Sequence, residues 1–442
     1  MDLKALDKAD SQDGYLFGRG PAWFAMAMTL ALMIFDYVDR QVIVSLFPYL
    51  KAEWNLSDKQ LGALVSVVSV TVALGALPVA LFADRVSRVK SIVAMATVWS
   101  LATISCMFTR SYGALFAARA AVGLGEAGYG SVGAAVIASH FPSRMRGMLL
   151  AAFFASASVG SVLGVLLGGV IAAKWGWQAA FGVVGVPGLL LALLYLKVRD
   201  YRTVALAPSL DAKRQSVGQA ARHIVKVLAR APTMFWVCVG GAAQLIVVSA
   251  LWSWLPSYLN RIHGVAPAQA GVQAALVVLC GAFGSVLWGA LVDRAGVRRP
   301  RRKLAVMALL CMASMVVLVA AFGLGAGASW QFGLIALGGF LATCTVGPVS
   351  AIVIDVVHPG VRATGSSVLA LFQNLFGLAA GPFIAGVLSD AWGIVPALTA
   401  TPLFALVAVL AFLLAARSYE ADKARANEPP SAHAMAPAAV PA

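Results

Sequence analysis

Phe35-Asp36-Tyr37-Val38-Asp39-Arg40-Gln41 lies inside the first long apolar run of the chain. Two carboxylates and a guanidinium are expensive in hydrocarbon, and an ionisable group within a membrane span marks a functional site by default. Whether this run crosses a membrane decides the fold, and composition bears on that directly. Of 442 residues, 61% are hydrophobic and 12% charged. A soluble globular chain carries about 25% charged residues. The 42 glycines suit helices in tight contact, where small residues let backbones approach.

About twelve apolar runs follow a polar leader, each near the roughly 20 residues that span a bilayer. They read as 22–48, 60–83, 91–109, 112–138, 147–173 and 178–197, then 233–259, 268–292, 304–324, 330–354, 364–388 and 395–416. Runs of this length satisfy their backbone polar groups only as helices. The expected fold is therefore an all-α membrane protein with 12 transmembrane helices in two six-helix bundles. Residues 22–197 form the N-terminal bundle and 233–416 the C-terminal bundle. Residues 1–21 form a cytoplasmic leader, 198–232 a cytoplasmic linker and 417–442 a disordered cytoplasmic tail rich in Ala, Pro and charge. The leader is polar and the first apolar run is too long for a signal peptide.

Lys and Arg set the orientation. With both termini in the cytoplasm, the outer loops carry only Lys51, Lys59, Arg110, Lys174 and Arg261 of the 33 basic residues. Arg40 and Arg119 fall inside spans, and all the others lie on the cytoplasmic side. A net charge of +15 does not point to nucleic acid here, because the basic residues sit in short loops beside lipid headgroups. The halves also repeat. Asp84-Arg85 recurs as Asp293-Arg294, and Pro142/Pro359, Gly169/Gly386, Trp175/Trp392 and Gly176/Gly393 each stand 217 residues apart. Two parallel repeats of six spans suit a machine that rocks about a central site.

Span four contains Arg119-Ala-Ala-Val-Gly123-Leu-Gly125-Glu126-Ala-Gly128-Tyr129. Arg119 and Glu126 fall about 20° apart on one helix face and roughly 10 Å apart along it. Asp39 and Arg119 lie at matching depth from the outer ends of their spans. Asp39, Arg40, Arg119 and Glu126 are thus expected to form one buried cluster, with Asp39 and Glu126 carrying protons and Arg40 and Arg119 holding an anionic group. Asp36, four residues before Arg40, is its local salt-bridge partner. Tyr37, Tyr129, Gln244, Trp252 and Asn374 are the expected neutral cavity residues. Asp84, Arg85, Arg88, Asp293 and Arg294 are expected to latch one bundle to the other in one conformation. The five cysteines lie in apolar runs without a Cys-x-x-Cys pair, and no histidine is mid-span. That pattern offers no metal site, cofactor or catalytic constellation. Charge confined to one patch argues for a carrier over a channel.

The loops Ala80-Leu-Phe-Ala-Asp84-Arg85-Val-Ser87-Arg88-Val-Lys90 and Gly289-Ala-Leu-Val-Asp293-Arg294-Ala-Gly296-Val-Arg298-Arg299 resemble the loop signature of the major facilitator superfamily. Ala80 and Ser87 replace its usual glycines. Asp-Tyr-Val-Asp-Arg-Gln in span one, Leu56-Ser-Asp-Lys-Gln-Leu-Gly62, Trp99-Ser-Leu-Ala-Thr103, Gly123-Leu-Gly-Glu-Ala127 and Asn374-Leu-Phe-Gly-Leu-Ala-Ala-Gly-Pro382 are similar to the bacterial Spinster-like branch. That resemblance implies a proton-coupled secondary transporter moving a lysophospholipid- or sphingolipid-like anion by alternating access. It also implies a chain in the bacterial inner membrane, with membrane lipids as partners, that works as a monomer. The anion:cation symporter branch, which takes up sugar acids, shares the span-one Asp-Arg and the span-four Arg and Glu. Those residues leave the two substrate classes open.

Overall fold

The computed structural model describes residues 14–201, 231–297, 299–324, 330–357 and 362–426, apart from the side chains of 77, 80–82, 84, 85, 143 and 362–364. All twelve expected spans are helices, with no strand among the described residues. In the N-terminal bundle they are α1 (Arg19–Trp54), α2 (Asp58–Val86), α3 (Arg88–Cys106), α4 (Tyr112–His140), α5 (Ser143–Trp175) and α6 (Trp177–Tyr195). In the C-terminal bundle they are α7 (Pro232–His263), α8 (Pro267–Gly296), α9 (Arg302–Gly323), α10 (Gln331–Val356), α11 (Gly365–Trp392) and α12 (Ile394–Ala426).

Local chemistry sets the helix ends. Ser57 opens α2 with a capping box, its hydroxyl accepting from Gln60 N and its N–H donating to Gln60 Oε1. Ser87 and Ser111 cap α3 and α4. Gly176 and Gly393, 217 residues apart, end α5 and α11 with φ of 85° and 89°, a region where only glycine is unstrained. The repeat read from the sequence is therefore a repeat of backbone conformation.

Within the N-terminal bundle, Gly160, Gly164 and Gly168 of α5 form a stripe against α1. A Cβ at each would come within 2.3, 2.6 and 2.6 Å of the carbonyl oxygens of Ile34, Val38 and Val42. That approach fixes the face of α1 that points away from α5. Gly123 and Gly125 of α4 do the same against Val68 of α2 and Trp99 of α3.

The bundles meet through α2 with α11 and through α5 with α8. Added Cβ atoms at Gly62 and Gly386 would lie 2.4 and 2.5 Å from Pro382 O and Asp58 O, and one at Gly169 would lie 3.0 Å from Pro267 O. These close approaches all lie at one end of the molecule, away from the chain termini and the basic loops. We call it the sealed end, and the other the basic end.

Two boundaries differ from expectation. Gly14–Gly18 of the leader folds onto the basic end: Leu16 N donates to His140 O (3.3 Å), and Tyr15 is buried against Phe141. The last helix continues to Ala426 instead of stopping near 416. Its extension has partners to bury, since Tyr419 Oη donates to Asp355 (2.8 Å) and Asp422 accepts from Thr233 N (2.9 Å). Nearly all of the expected linker, residues 202–230, and the tail beyond 426 lie outside the described residues.

Candidate functional site

The opening stretch lies on α1 just before the chain tightens into a 3-10 turn at Ile43–Leu46. Successive residues turn 100° about the helix axis, so its charged groups diverge. Asp39 points into the bundle. Its carboxylate accepts from Arg119 Nη1 (3.1 Å) and from the Thr103 hydroxyl of α3. Arg119 Nη1 also donates to Asp39 O (3.2 Å), and the Arg119 side chain is 0% exposed.

Arg40 points elsewhere. Its Nε donates to Asp36 (3.2 Å) and lies 3.0 Å from Glu126 Oε2, with 15% of the side chain exposed. Its guanidinium stacks over the Tyr37 ring, 5.3 Å from the centroid. The Nε–H is aimed at Asp36, so Glu126 gains charge proximity but no directed hydrogen bond, and both its oxygens lack hydrogen-bond partners. Glu126 closes the first half of α4. The helix breaks at Ala127 (ψ 125°) and restarts after Gly128, which has φ +83°. Its carboxylate thus sits at the negative end of a helical segment.

The expected four-residue cluster is therefore two pairs back to back. Asp39–Arg119 is sealed inside the bundle, whereas Arg40 with Asp36 and Glu126 reaches its surface. This corrects the expectation that Arg119 holds an anion, because all of its side chain is occluded. Asp36 is a full member of the site. Thr103 is a partner that only the fold reveals, since a threonine in an apolar run carries no signal of its own.

Three neutral candidates also sit elsewhere. Tyr129 is wedged between the rings of Trp99 and Phe153, and its hydroxyl donates to Thr29 O (2.7 Å). Gln244 is fully buried within the C-terminal bundle and donates to Ser314 Oγ (3.1 Å) and Ala342 O (3.0 Å). Both are packing residues in this conformation. Asn374 donates to Ala370 O of its own helix (2.9 Å), at a π-helical turn spanning Gln373–Leu378. Tyr37 and Trp252 remain partly exposed.

None of the contacts described for the expected latch residues crosses between the bundles. Arg88 Nη1 donates to Tyr201 Oη (3.1 Å), and Asp293 pairs with Lys303 (2.9 Å), each within its own half. Arg294 is exposed. The side chains of Asp84 and Arg85 lie outside the described residues. The bundles are instead joined at the sealed end, by a network the sequence did not announce. Arg261 of α7 grips Asp58 of α2 with two bonds (2.7 and 2.9 Å), and Ser389 donates to the same carboxylate (2.5 Å). Asp390 in turn accepts from the N–H groups of Asp58 and Lys59 (2.7 and 2.8 Å), capping α2 from the other bundle. Lys51 completes the network from within the N-terminal bundle (2.5 Å).

Two six-helix bundles, closed against each other at one end around a charged intramembrane cluster, define a two-bundle membrane carrier. The family model for the Major Facilitator Superfamily matches residues 29–380 and 237–440, and the chain belongs to that superfamily. It is a multi-pass membrane transporter and not an enzyme. Within the superfamily it resembles the Spinster-like branch. Protein spinster of Drosophila melanogaster is 24% identical over 381 residues, covering 84% of this chain and 62% of that protein. An MFS-type efflux pump of Mycolicibacterium smegmatis is 29% identical over 371 residues, covering 84% and 85%. A gallate transporter of Pseudomonas putida is 28% identical over 435 residues, covering 88% and 91%. The crystal structure of a bacterial homolog of the human lysosomal transporter Spinster, inward-facing and unoccupied, superposes with a TM-score of 0.80. Its identity is 23%, and the match covers 92% of this chain and 99% of that one.

Proposed function

We propose that the protein is a proton-coupled secondary transporter of an amphipathic anion, working by alternating access. One observation carries this reading. Among the described residues, Asp36, Asp39 and Glu126 pair only with Arg40 and Arg119, so the site holds three carboxylates for two guanidiniums. A buried charge without a partner is strongly unfavourable, and a single proton brings the group to neutrality. Asp39 is held by Arg119 and Thr103, and Asp36 by Arg40. Glu126, with no hydrogen bond to either oxygen, is the carboxylate that takes the proton. Once neutral, it no longer competes for Arg40. The substrate's anionic group then replaces the Glu126 charge beside the guanidinium, and the net charge of the site is unchanged. Proton and anion bind together, and by linkage each tightens the other.

An apolar groove of about 320 Å³ supports the amphipathic part of the reading. Ser66, Val67 and Val70 of α2, Phe116 of α4, and Leu375 and Phe383 of α11 line it. Its inner limit at Val70 is level with Gly123, about one helical turn short of Glu126, because the neighbouring Val68 and Thr71 pack on Gly123. By the positive-inside rule the basic end faces the cytoplasm, which makes this conformation open inward. The bacterial inner membrane is the matching location.

The test uses the purified full chain and two probes, 1-oleoyl-lysophosphatidate and gallate, titrated across pH 5–8 and then followed as flux in proteoliposomes. At least one probe should bind more tightly as pH falls. Glu126→Gln should bind it with no pH dependence and lose uptake driven by a proton gradient. Arg40→Ala should lose binding at every pH. A Glu126→Gln variant that still accumulates the probe against its gradient refutes the mechanism. Gallate binding without lysophosphatidate binding would replace the lipid-like class by the small-acid class.

A further inference from the structure

Thr103 has one hydroxyl proton and two acceptors in reach. Its Oγ1 lies within hydrogen-bond distance of Asp39 Oδ2 and, at 2.9 Å, of Trp99 O on its own helix. A hydroxyl donates one hydrogen bond and accepts others, so it serves one of these acceptors at a time. The choice matters because of how Arg119 holds the same carboxylate. Arg119 reaches it with a single nitrogen, Nη1, which donates to Oδ1 (3.1 Å) and to the backbone O of Asp39 (3.2 Å). The guanidinium does not fork across both oxygens, which is the stronger arrangement. Among the described residues, the donor to Oδ2 is Thr103.

Packing fixes this arrangement, and both side chains are buried. A Cβ at Gly125 of α4 would lie 2.5 Å from Trp99 N, and the Trp99 and Tyr129 rings meet at 5.3 Å. The helix α3 is thereby held against α4 one turn from Thr103. The other charged or titratable groups around Asp39 are Asp36 and Arg40 on α1, Glu126 on α4 with Arg119, and Cys106 about one turn beyond Thr103 on α3. These act on Asp39 through space, whereas Arg119 and Thr103 bond to it.

We infer that Thr103 is a positioning residue that holds Asp39 ionised and so decides which carboxylate takes the proton. While Asp39 is charged, the Thr103 proton points to Oδ2. When Oδ2 itself carries a proton, the hydroxyl turns to Trp99 O and accepts from Asp39 instead. Thr103 is satisfied in either state, but the states are not equal. A hydrogen bond to a carboxylate is about twice as strong as one between neutral groups, and a bond of that kind favours the ionised form. The proton of the excess carboxylate then goes to Glu126, whose oxygens have no hydrogen-bond partner. This assignment rests on the proton-coupling reading above and deepens it.

The experiment is infrared difference spectroscopy of the purified full chain, titrated from pH 8 to pH 4 without ligand. It follows the C=O stretch of neutral carboxyl groups. The Asp39 component is the part of that band that Asp39→Asn removes, and the Glu126 component is the part that Glu126→Gln removes. In the wild type, the Glu126 component should appear at a higher pH than any Asp39 component. Thr103→Val keeps the shape of the side chain and removes the hydroxyl. Its Asp39 component should appear at least about one pH unit higher than in the wild type, a gain of about tenfold in proton affinity. Thr103→Ser keeps the hydroxyl, loses the methyl and should titrate as the wild type does. An Asp39 component at the same pH in Thr103→Val and wild type overturns the inference, as does its absence from Thr103→Val down to pH 4. An equal shift in Thr103→Ser also overturns it, since that is the signature of a packing role. Absence of a Glu126 component, with the Asp39 shift as stated, refutes Glu126 as the proton site and leaves the hold of Thr103 on Asp39 standing.

Discussion

Removing the carboxylate of Asp58 should open the sealed end. Three hydrogen bonds from the C-terminal bundle end on it, two from Arg261 and one from Ser389, while the Lys51 bond comes from its own bundle. Only the first three must break when the bundles part there. Hydrogen bonds to a charged group contribute about 1.5–3 kcal/mol each. Arg261 is 23% exposed, however, and in the open state water replaces its partner, so the sum is far smaller than three such bonds. A net shift of about 2 kcal/mol is reasonable, which is a factor of about 30 in the equilibrium between closed and open. If the wild type opens this end about 1% of the time, within the usual range for a minor state, Asp58→Ala would open it in about a quarter of molecules. Spin labels at the exposed positions Ala52 and Ala266, one on each bundle, read that population as a second, longer distance by double electron–electron resonance. Arg261→Ala should act in the same direction, whereas Lys51→Ala should leave the distances unchanged. An unchanged distribution in both Asp58→Ala and Arg261→Ala, or a shift in Lys51→Ala as large as theirs, refutes the assignment of this network as the inter-bundle clasp.

The two pairs of the charged site should fail differently. Arg119→Leu strands Asp39 inside the bundle, and breaking a buried pair costs about 3–5 kcal/mol. Thermal unfolding in detergent should therefore fall well below the wild type, and Arg40→Ala, which strands the buried carboxylates of Asp36 and Glu126, should lower it too, but by less, because the 15% exposure of the Arg40 side chain lets water take its place. Gln244→Leu removes two hydrogen bonds in the C-terminal bundle and leaves the Ser314 hydroxyl and the Ala342 carbonyl with one partner fewer. It should lower the melting temperature by an amount corresponding to about 1–3 kcal/mol. The apparent affinity for whichever probe the wild type transports should not change, which flux measurements would check.

The sequence by itself determined the number, type and rough limits of the membrane helices. Hydrophobic length is local, and a span needs no knowledge of its neighbours to be recognised. The same holds for Gly176 and Gly393, whose spacing predicted a repeat that the structure realises as one backbone conformation. Sequence also singled out Asp36, Asp39, Arg40, Arg119 and Glu126, because they stand out as charge in hydrocarbon. Matching depths brought α1 and α4 together correctly. Depth is a coordinate along the membrane normal, though, and carries no information about rotation around a helix. Only packing against the Gly160, Gly164 and Gly168 stripe set that rotation, turning Asp39 inward to Arg119 and Thr103 and Arg40 outward to Glu126. The same blindness placed Gln244 and Tyr129 in the cavity, where each is instead buried and donates hydrogen bonds within its own bundle. It also hid the Asp58–Arg261–Ser389–Asp390 clasp, whose members read singly as ordinary helix-end residues. Which charge faces which partner is a property of two surfaces in contact, and the tertiary structure alone decides it.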